Sequence, residues 1–328
     1  MKFGLFIPQG WRLDLTDIAP AQQWQTMHDL AKHADDGDTF DSLWVYDHFH
    51  TVPEPTTEAT HEAWTLMSAF AATTSRIKLG QMCTCMAYRN PAYLAKVATT
   101  CDIISGGRMQ MGIGAGWYEH EWRAYGYGFP GAGDRLRALR EGVQIMDQMF
   151  TTGEGTLDGK FYQVDGARNY PLPLQEKLPM WIAGAGEKVT LKIAAQYANY
   201  TNFAGTPDEF ARRSAILAGH CETVGTDYGA ITRSSNYNVI IGETEQDVAD
   251  KLAWLKAKYT RLVPAKAEAE YEQLANGPLV GTPEQICEKL AEYQKVGMTY
   301  AIGYFADAAY DRTSIDLFAS QVASQFKN

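Results

Sequence analysis

Strand-like and helix-like patterns alternate along almost the whole chain, and this alternation limits the fold more than any single motif. Runs of apolar, β-branched or aromatic residues at 2–8, 42–47, 77–84, 108–113, 179–183, 199–203, 233–241 and 298–305 read as strands. Helical patterns fill roughly 20–36, 60–74, 91–104, 134–150, 187–197, 207–223, 244–258, 283–295 and 310–325. The helix from Asp134 is the clearest, with Leu136, Leu139, Val143, Met146 and Phe150 repeating at i+3 and i+4 as a buried stripe. Strand followed by helix, about eight times over, calls for a parallel sheet covered by helices. With no long linker, one (β/α)₈ TIM barrel over residues 1–328 is the economical solution. The 328 residues, 45% of them hydrophobic, supply ample core for it.

Local signals fix several helix starts. Thr206-Pro207-Asp208-Glu209 and Thr282-Pro283-Glu284-Gln285 each place threonine at the N-cap, proline at N1 and a Glu or Gln at N3, a capping box. Asn90-Pro91 opens another helix in the same manner. Two stretches break the rhythm. The segment about 151–178 is rich in Gly, Asp and Pro and holds Leu157-Asp158-Gly159-Lys160, the turn of a β-hairpin. The segment about 259–280 delays the last strand. Both read as insertions that build walls over a barrel mouth.

Charge and cysteine usage exclude some functions. A formal net charge of -10 is unsuited to nucleic-acid binding, which needs a basic footprint. No apolar run approaches the roughly 18 residues of a membrane span. Met1 to Pro8 reads as a strand without a signal peptide's cleavage region, so the expectation is a cytoplasmic protein. Five cysteines without framework spacing read as reduced thiols, with Cys83 and Cys85 as packing residues.

Four strand ends carry chemistry, and in a parallel barrel these ends share one rim. The second strand runs into Asp47-His48-Phe49-His50. His48 is a proton donor or acceptor near neutral pH, weighed against a hydrogen-bonded rim histidine. A metal at His48 and His50 lacks further histidines on later strand ends, so no metal is expected. The third strand ends in Met82-Cys83-Thr84, an uncharged rim suited to a flat heterocycle. The fourth enters Gly112-Ile113-Gly114-Ala115-Gly116-Trp117, where glycines would let backbone approach a ligand. The fifth enters Ala183-Gly184-Ala185-Gly186-Glu187-Lys188, small residues before a helix, a phosphate nest weighed against a plain tight turn. Together these ends outline a slot for a phosphorylated planar cofactor and a small-molecule substrate.

Several of these pieces resemble the bacterial luciferase-like flavin and deazaflavin oxidoreductases: Phe3-Gly4-Leu5-Phe6-Ile7-Pro8, Leu43 to His48, Arg76 to Gly80 with Arg89-Asn90-Pro91, Gly112 to Trp117, and Gly281 to Gln285. They occur in the family's order over nearly the whole chain, and the fit resembles most the branch that uses coenzyme F420. The resemblance implies a TIM barrel with insertions, often a homodimer, with a cis peptide at Met82–Cys83 under the cofactor ring. It implies Asp47, Met82, Cys83, Thr84, His120 and the turn 183–188 on the cofactor side. It makes His48 the proton-transfer residue and leaves Trp11, His50, Tyr88 and Trp117 to line an apolar substrate pocket. Many relatives carry asparagine at the position of His120, and sugar-phosphate oxidisers carry a carboxylate at that of Trp117. The expected activity is hydride transfer between deazaflavin C5 and a small organic substrate. An FMN-dependent monooxygenase is the alternative, and a non-catalytic flavin- or deazaflavin-binding protein the second.

Overall fold

The computed structural model describes residues 1–327. Eight parallel strands form its centre: β1 Lys2–Phe6, β2 Ser42–Val45, β3 Lys78–Gln81, β4 Met109–Gly114, β5 Met180–Ala183, β6 Tyr200–Asn202, β7 Thr232–Ile241 and β8 Tyr300–Phe305. Each pairs in parallel with its neighbours in chain order, and β8 returns to β1, so the sheet is a closed (β/α)₈ barrel. Every strand expected from the sequence is present within a few residues of its expected limits.

Period-two alternation sorts the core into two layers. Leu43 and Val45 of β2 point outward to the helices, as do Phe3 and Leu5 of β1. Trp44, Phe6, Trp181, Tyr300, Ile302 and Tyr304 form the inner cluster. Trp44 fills the barrel axis. A Cβ built on Gly4 would meet its ring at 2.6 Å, and one on Gly80 at 2.5 Å, so the neighbouring strands are cut back to hold it. The indole donates to Ser42 Oγ at 2.6 Å and meets Trp181 edge-on at 4.6 Å, while Trp181 stacks on Tyr200 at 4.1 Å.

The helix starts follow the sequence signals. Thr206 and Thr282 close capping boxes, and Asn90 accepts from the amides of Ala92 and Tyr93. The insertion after the long helix Ala132–Thr152 is an antiparallel hairpin, Glu154–Asp158 with Gln163–Arg168. Its loop is held by Glu141, whose carboxylate accepts from the amides of Lys160, Phe161 and Tyr162.

Three expectations need correction. The helix after β5 begins at Thr190, not 187, because the chain first makes a turn over 187–189 in which Gly186 O accepts from Leu191 N. The last helix keeps α geometry only over Thr313–Leu317 and continues as wider and then tighter turns to Phe326. The late excursion is more ordered than its sequence suggests. The helix Glu245–Leu262 extends into it, a second helix spans Ala267–Ala275, and Leu279–Gly281 adds a strand to β7.

Candidate active site at the barrel mouth

β2 ends at Val45, and the chain then delivers Asp47 and His48 to the C-terminal rim. Asp47 is wholly buried. Its carboxylate takes a two-pronged bond from Arg89, Nη1 at 2.7 Å and Nη2 at 3.0 Å, and accepts from the amide of Cys85 at 2.9 Å. Arg89 reaches on to Glu62 at 2.7 Å, at the N-cap of the helix Ala63–Thr73. Asp47 therefore joins the end of β2 to the loop after β3.

His48 is held on three sides. Trp11, from the loop after β1, lies flat on the imidazole with centroids 4.1 Å apart and planes 2° from parallel. Trp117 and Tyr118 meet it edge-on. Its Nδ1 lies 2.8 Å from Glu121 Oε2. Glu121 is fully buried yet satisfied. Oε2 also accepts from Tyr88 OH at 2.9 Å, and Oε1 accepts from the amides of Phe49 and His50, both at 2.8 Å. A carboxylate so surrounded favours its charged form. Burial pushes the Glu121 carboxyl up, but bonds from His48 and the two amides prevail and hold it below the ordinary glutamate value. With a charged acceptor at Nδ1, the neutral ring keeps its hydrogen there and presents a lone pair at Nε2. Nε2 has no protein hydrogen bond among the described residues.

A cavity of about 230 Å³ lies beside it, lined in part by Trp11, His48, Met82, Cys83, Tyr88 and Trp117. The peptide between Met82 and Cys83 is cis, as the resemblance implies. Burial foremost, then the Asp47 charge, pushes the Cys83 thiol up to about 12, so it packs as a neutral group. The glycines at the end of β4 and just beyond it are closely packed. A Cβ on Gly114 would lie 2.6 Å from Cys83 Sγ, and one on Gly116 would lie 2.5 Å from Cys85 Sγ. They make room for the two thiols, and Gly116 also lines the cavity.

Not every candidate reaches this cavity. The Thr84 hydroxyl is buried and donates to Gln81 Oε1 at 2.8 Å. His50 and His120 pair with each other at 5.0 Å, outside the cavity lining. The turn 183–188 is a separate stretch of the same rim, joined through Gly114, where an added Cβ would stand 3.5 Å from Ala183 O. Gly184 N is spent on Asn202 O, but the amides of Ala185, Gly186, Glu187 and Lys188 have no protein acceptor among the described residues. Glu187 pairs with Arg212, and Lys188 is exposed.

Two residues near this cavity escaped the sequence reading. Asn236 lines it from β7, on the same strand face as Ser234, and Asn202 of β6 donates to both. Glu121 sits in a six-residue helix, Glu119–Ala124. The Glu119–Arg123 pair at i,i+4 occupies the outer face, which puts the residue midway between them on the inner one. That spacing was the available signal. Changing Glu121 to glutamine keeps the shape and removes the charge. Because the folded carboxyl is held low, its stabilisation is complete above the ordinary glutamate range and is lost as pH falls below that range through the lowered folded value. Chemical unfolding of both proteins should therefore show wild type ahead at neutral pH, with the gap closing in acid. A gap that stays constant with pH would contradict this assignment.

The model of the luciferase-like monooxygenase family matches residues 1–300. The chain belongs to that family. Among curated relatives, the pyrimidine monooxygenase RutA of Caulobacter segnis is 30% identical over 269 residues, covering 74% of each chain. The RutA of Agrobacterium fabrum is 28% identical over 264 residues, covering 72% of this chain and 70% of its own. Among solved structures, the luciferase-like barrel superposes on an F420-dependent secondary alcohol dehydrogenase with an F420-acetone adduct, at TM-score 0.79, 19% identity and 98% coverage of both chains. It also superposes on the monooxygenase RslO1 of Streptomyces bottropensis, at TM-score 0.80, 18% identity and full coverage of both. At these identities the superpositions establish the fold. The chain is thus an enzyme of the luciferase-like oxidoreductase and monooxygenase class. Among the described residues no helix is long and apolar enough to cross a membrane, and no cluster of three His, Cys, Asp or Glu side chains is arranged for a metal.

Proposed function

We propose that this protein is an F420-dependent oxidoreductase acting on a small organic substrate, with His48 moving the proton that balances the hydride. The observation that carries this reading is the imidazole fixed at Nδ1 by Glu121 and free at Nε2 beside a small, largely aromatic cavity. A deazaflavin, when bound, supplies two-electron hydride transfer at C5 and leaves orientation and electrostatics to the protein.

The residues present fit such a group. Met82 and Cys83 would support its ring system, with Asp47 behind them fixing the loop through Arg89 and Cys85 N. The unpaired amides of 185–188, with Lys188, would hold its phosphate. The buried Trp11 Nε1 has no partner among the described residues and would serve a ligand oxygen. Trp11, Tyr88 and Trp117 would enclose the substrate, exclude water and keep it over His48 Nε2. When substrate is oxidised, Nε2 would accept the hydroxyl proton as hydride leaves carbon; in the reverse direction it would return it. Glu121 would stabilise the imidazolium formed in between.

An FMN-dependent monooxygenase is the second reading, favoured by the RutA relatives at 28–30% identity. Titrating cofactor-free protein with F420 and with FMN, followed by fluorescence, separates the two. The expected result is saturable F420 binding with FMN at least about tenfold weaker. The opposite order would replace the first reading by the second, and binding of either without turnover of any substrate would favour a non-catalytic role.

A further inference from the structure

A larger cleft, of about 690 Å³, opens against residues 16–17, farther along the loop that carries Trp11. It lies between the helix Glu245–Leu262, the loop after β8 and residues 16–17, and shares no lining residue with the His48 cavity. Its volume is in the range of small-molecule sites, roughly 300–1,000 Å³.

Its charges are mostly spoken for. Arg261 pairs with Asp17 and Lys251 with Asp307. Asp311 accepts from the backbone and hydroxyl of Thr313, and Asp250 from Gln246. Lys258 is the exception. It is 7% exposed and makes no ion pair among the described residues. Its ammonium lies 5.0 Å from the Trp254 ring centroid and 4.8 Å from that of Tyr310, with one long bond, 3.3 Å, to the Tyr310 hydroxyl. Two π faces and a hydroxyl do not replace the hydration of an ammonium. Burial, the largest influence, pulls this amine down to about 8 despite Asp14, Asp17 and Asp307 nearby. Trp254 and Tyr310 are meanwhile 40% and 39% exposed, large rings left facing the cleft.

We propose that this cleft is a second small-molecule site that takes a planar aromatic monocarboxylate, its carboxylate on Lys258 Nζ and its ring against Trp254 and Tyr310. The single unpaired cation selects a monoanion. A phosphate dianion would meet Asp250 and Asp311 with only one unpaired cation to offset them. The aromatic walls select a flat ring over an aliphatic chain.

Calorimetric titration of the full chain with benzoate tests this. Saturable one-to-one binding is expected, weakened about tenfold or more in Lys258→Met and for benzamide, which keeps the ring and loses the charge. Trp254→Gln, at an exposed ring, should also weaken binding and guards against a folding defect in Lys258→Met. His48→Ala should bind benzoate as wild type does. Absence of saturable benzoate binding overturns the proposal. So do equal affinities for benzoate and benzamide, an unchanged affinity in either cleft variant, or loss of binding in His48→Ala, which would move the site to the barrel cavity.

Discussion

Replacing His48 by alanine is expected to lower turnover by roughly 10²–10⁴-fold, the usual contribution of a positioned general acid or base. Cofactor affinity should stay close to wild type, because the bonds that shape the Met82–Cys83 loop come from Asp47 and not from the imidazole. The fold should also survive. His48 is 12% exposed in its side chain and lies at the rim, and Glu121 would still accept from Tyr88 and two amides. Steady-state rates, paired with a cofactor titration of the same variant, separate the effects. A variant turning over at the wild-type rate would remove His48 from the chemistry, and one that no longer bound cofactor would recast it as a binding residue.

Asp47→Ala should act through stability instead. The substitution leaves Arg89, whose side chain is 12% exposed, facing a buried gap with only Glu62 to answer its charge. Removing one partner of a buried pair typically costs about 3–5 kcal/mol. Asp47→Asn should cost less, since an amide oxygen can still accept from Cys85 N while the two-pronged bond weakens. Denaturant unfolding measures both variants. If Asp47→Ala were as stable as wild type and merely bound cofactor poorly, Asp47 would be a cofactor ligand first and a structural anchor second.

The barrel was legible because its evidence is periodic. Strands such as 42–45 and 300–305 alternate between the two core layers, and capped helices such as those at Pro207 and Pro283 announce their own first residue. Individual side chains at the rim were less so. Period-two parity ends with β3 at Gln81, so nothing in the sequence told that the Thr84 hydroxyl would turn to Gln81 and away from the cavity. The glycines at 114 and 116 show that close approach is needed but not what approaches, and here it is sulfur. Glu121 was hidden by its neighbours, because a carboxylate among Glu119, His120 and Arg123 looks like a solvated face until the helix is built. The Lys258 cleft draws on residues 16–17, 250–261 and 307–311, which only the closure of β8 onto β1 brings together.

Trp44 has one more implication. With that indole, Trp181 and Tyr300 crowded across the axis, the enclosure is a blind cup whose floor is solid. Nothing can pass along the axis to the far side, so entry and departure are confined to the rim where the strands end.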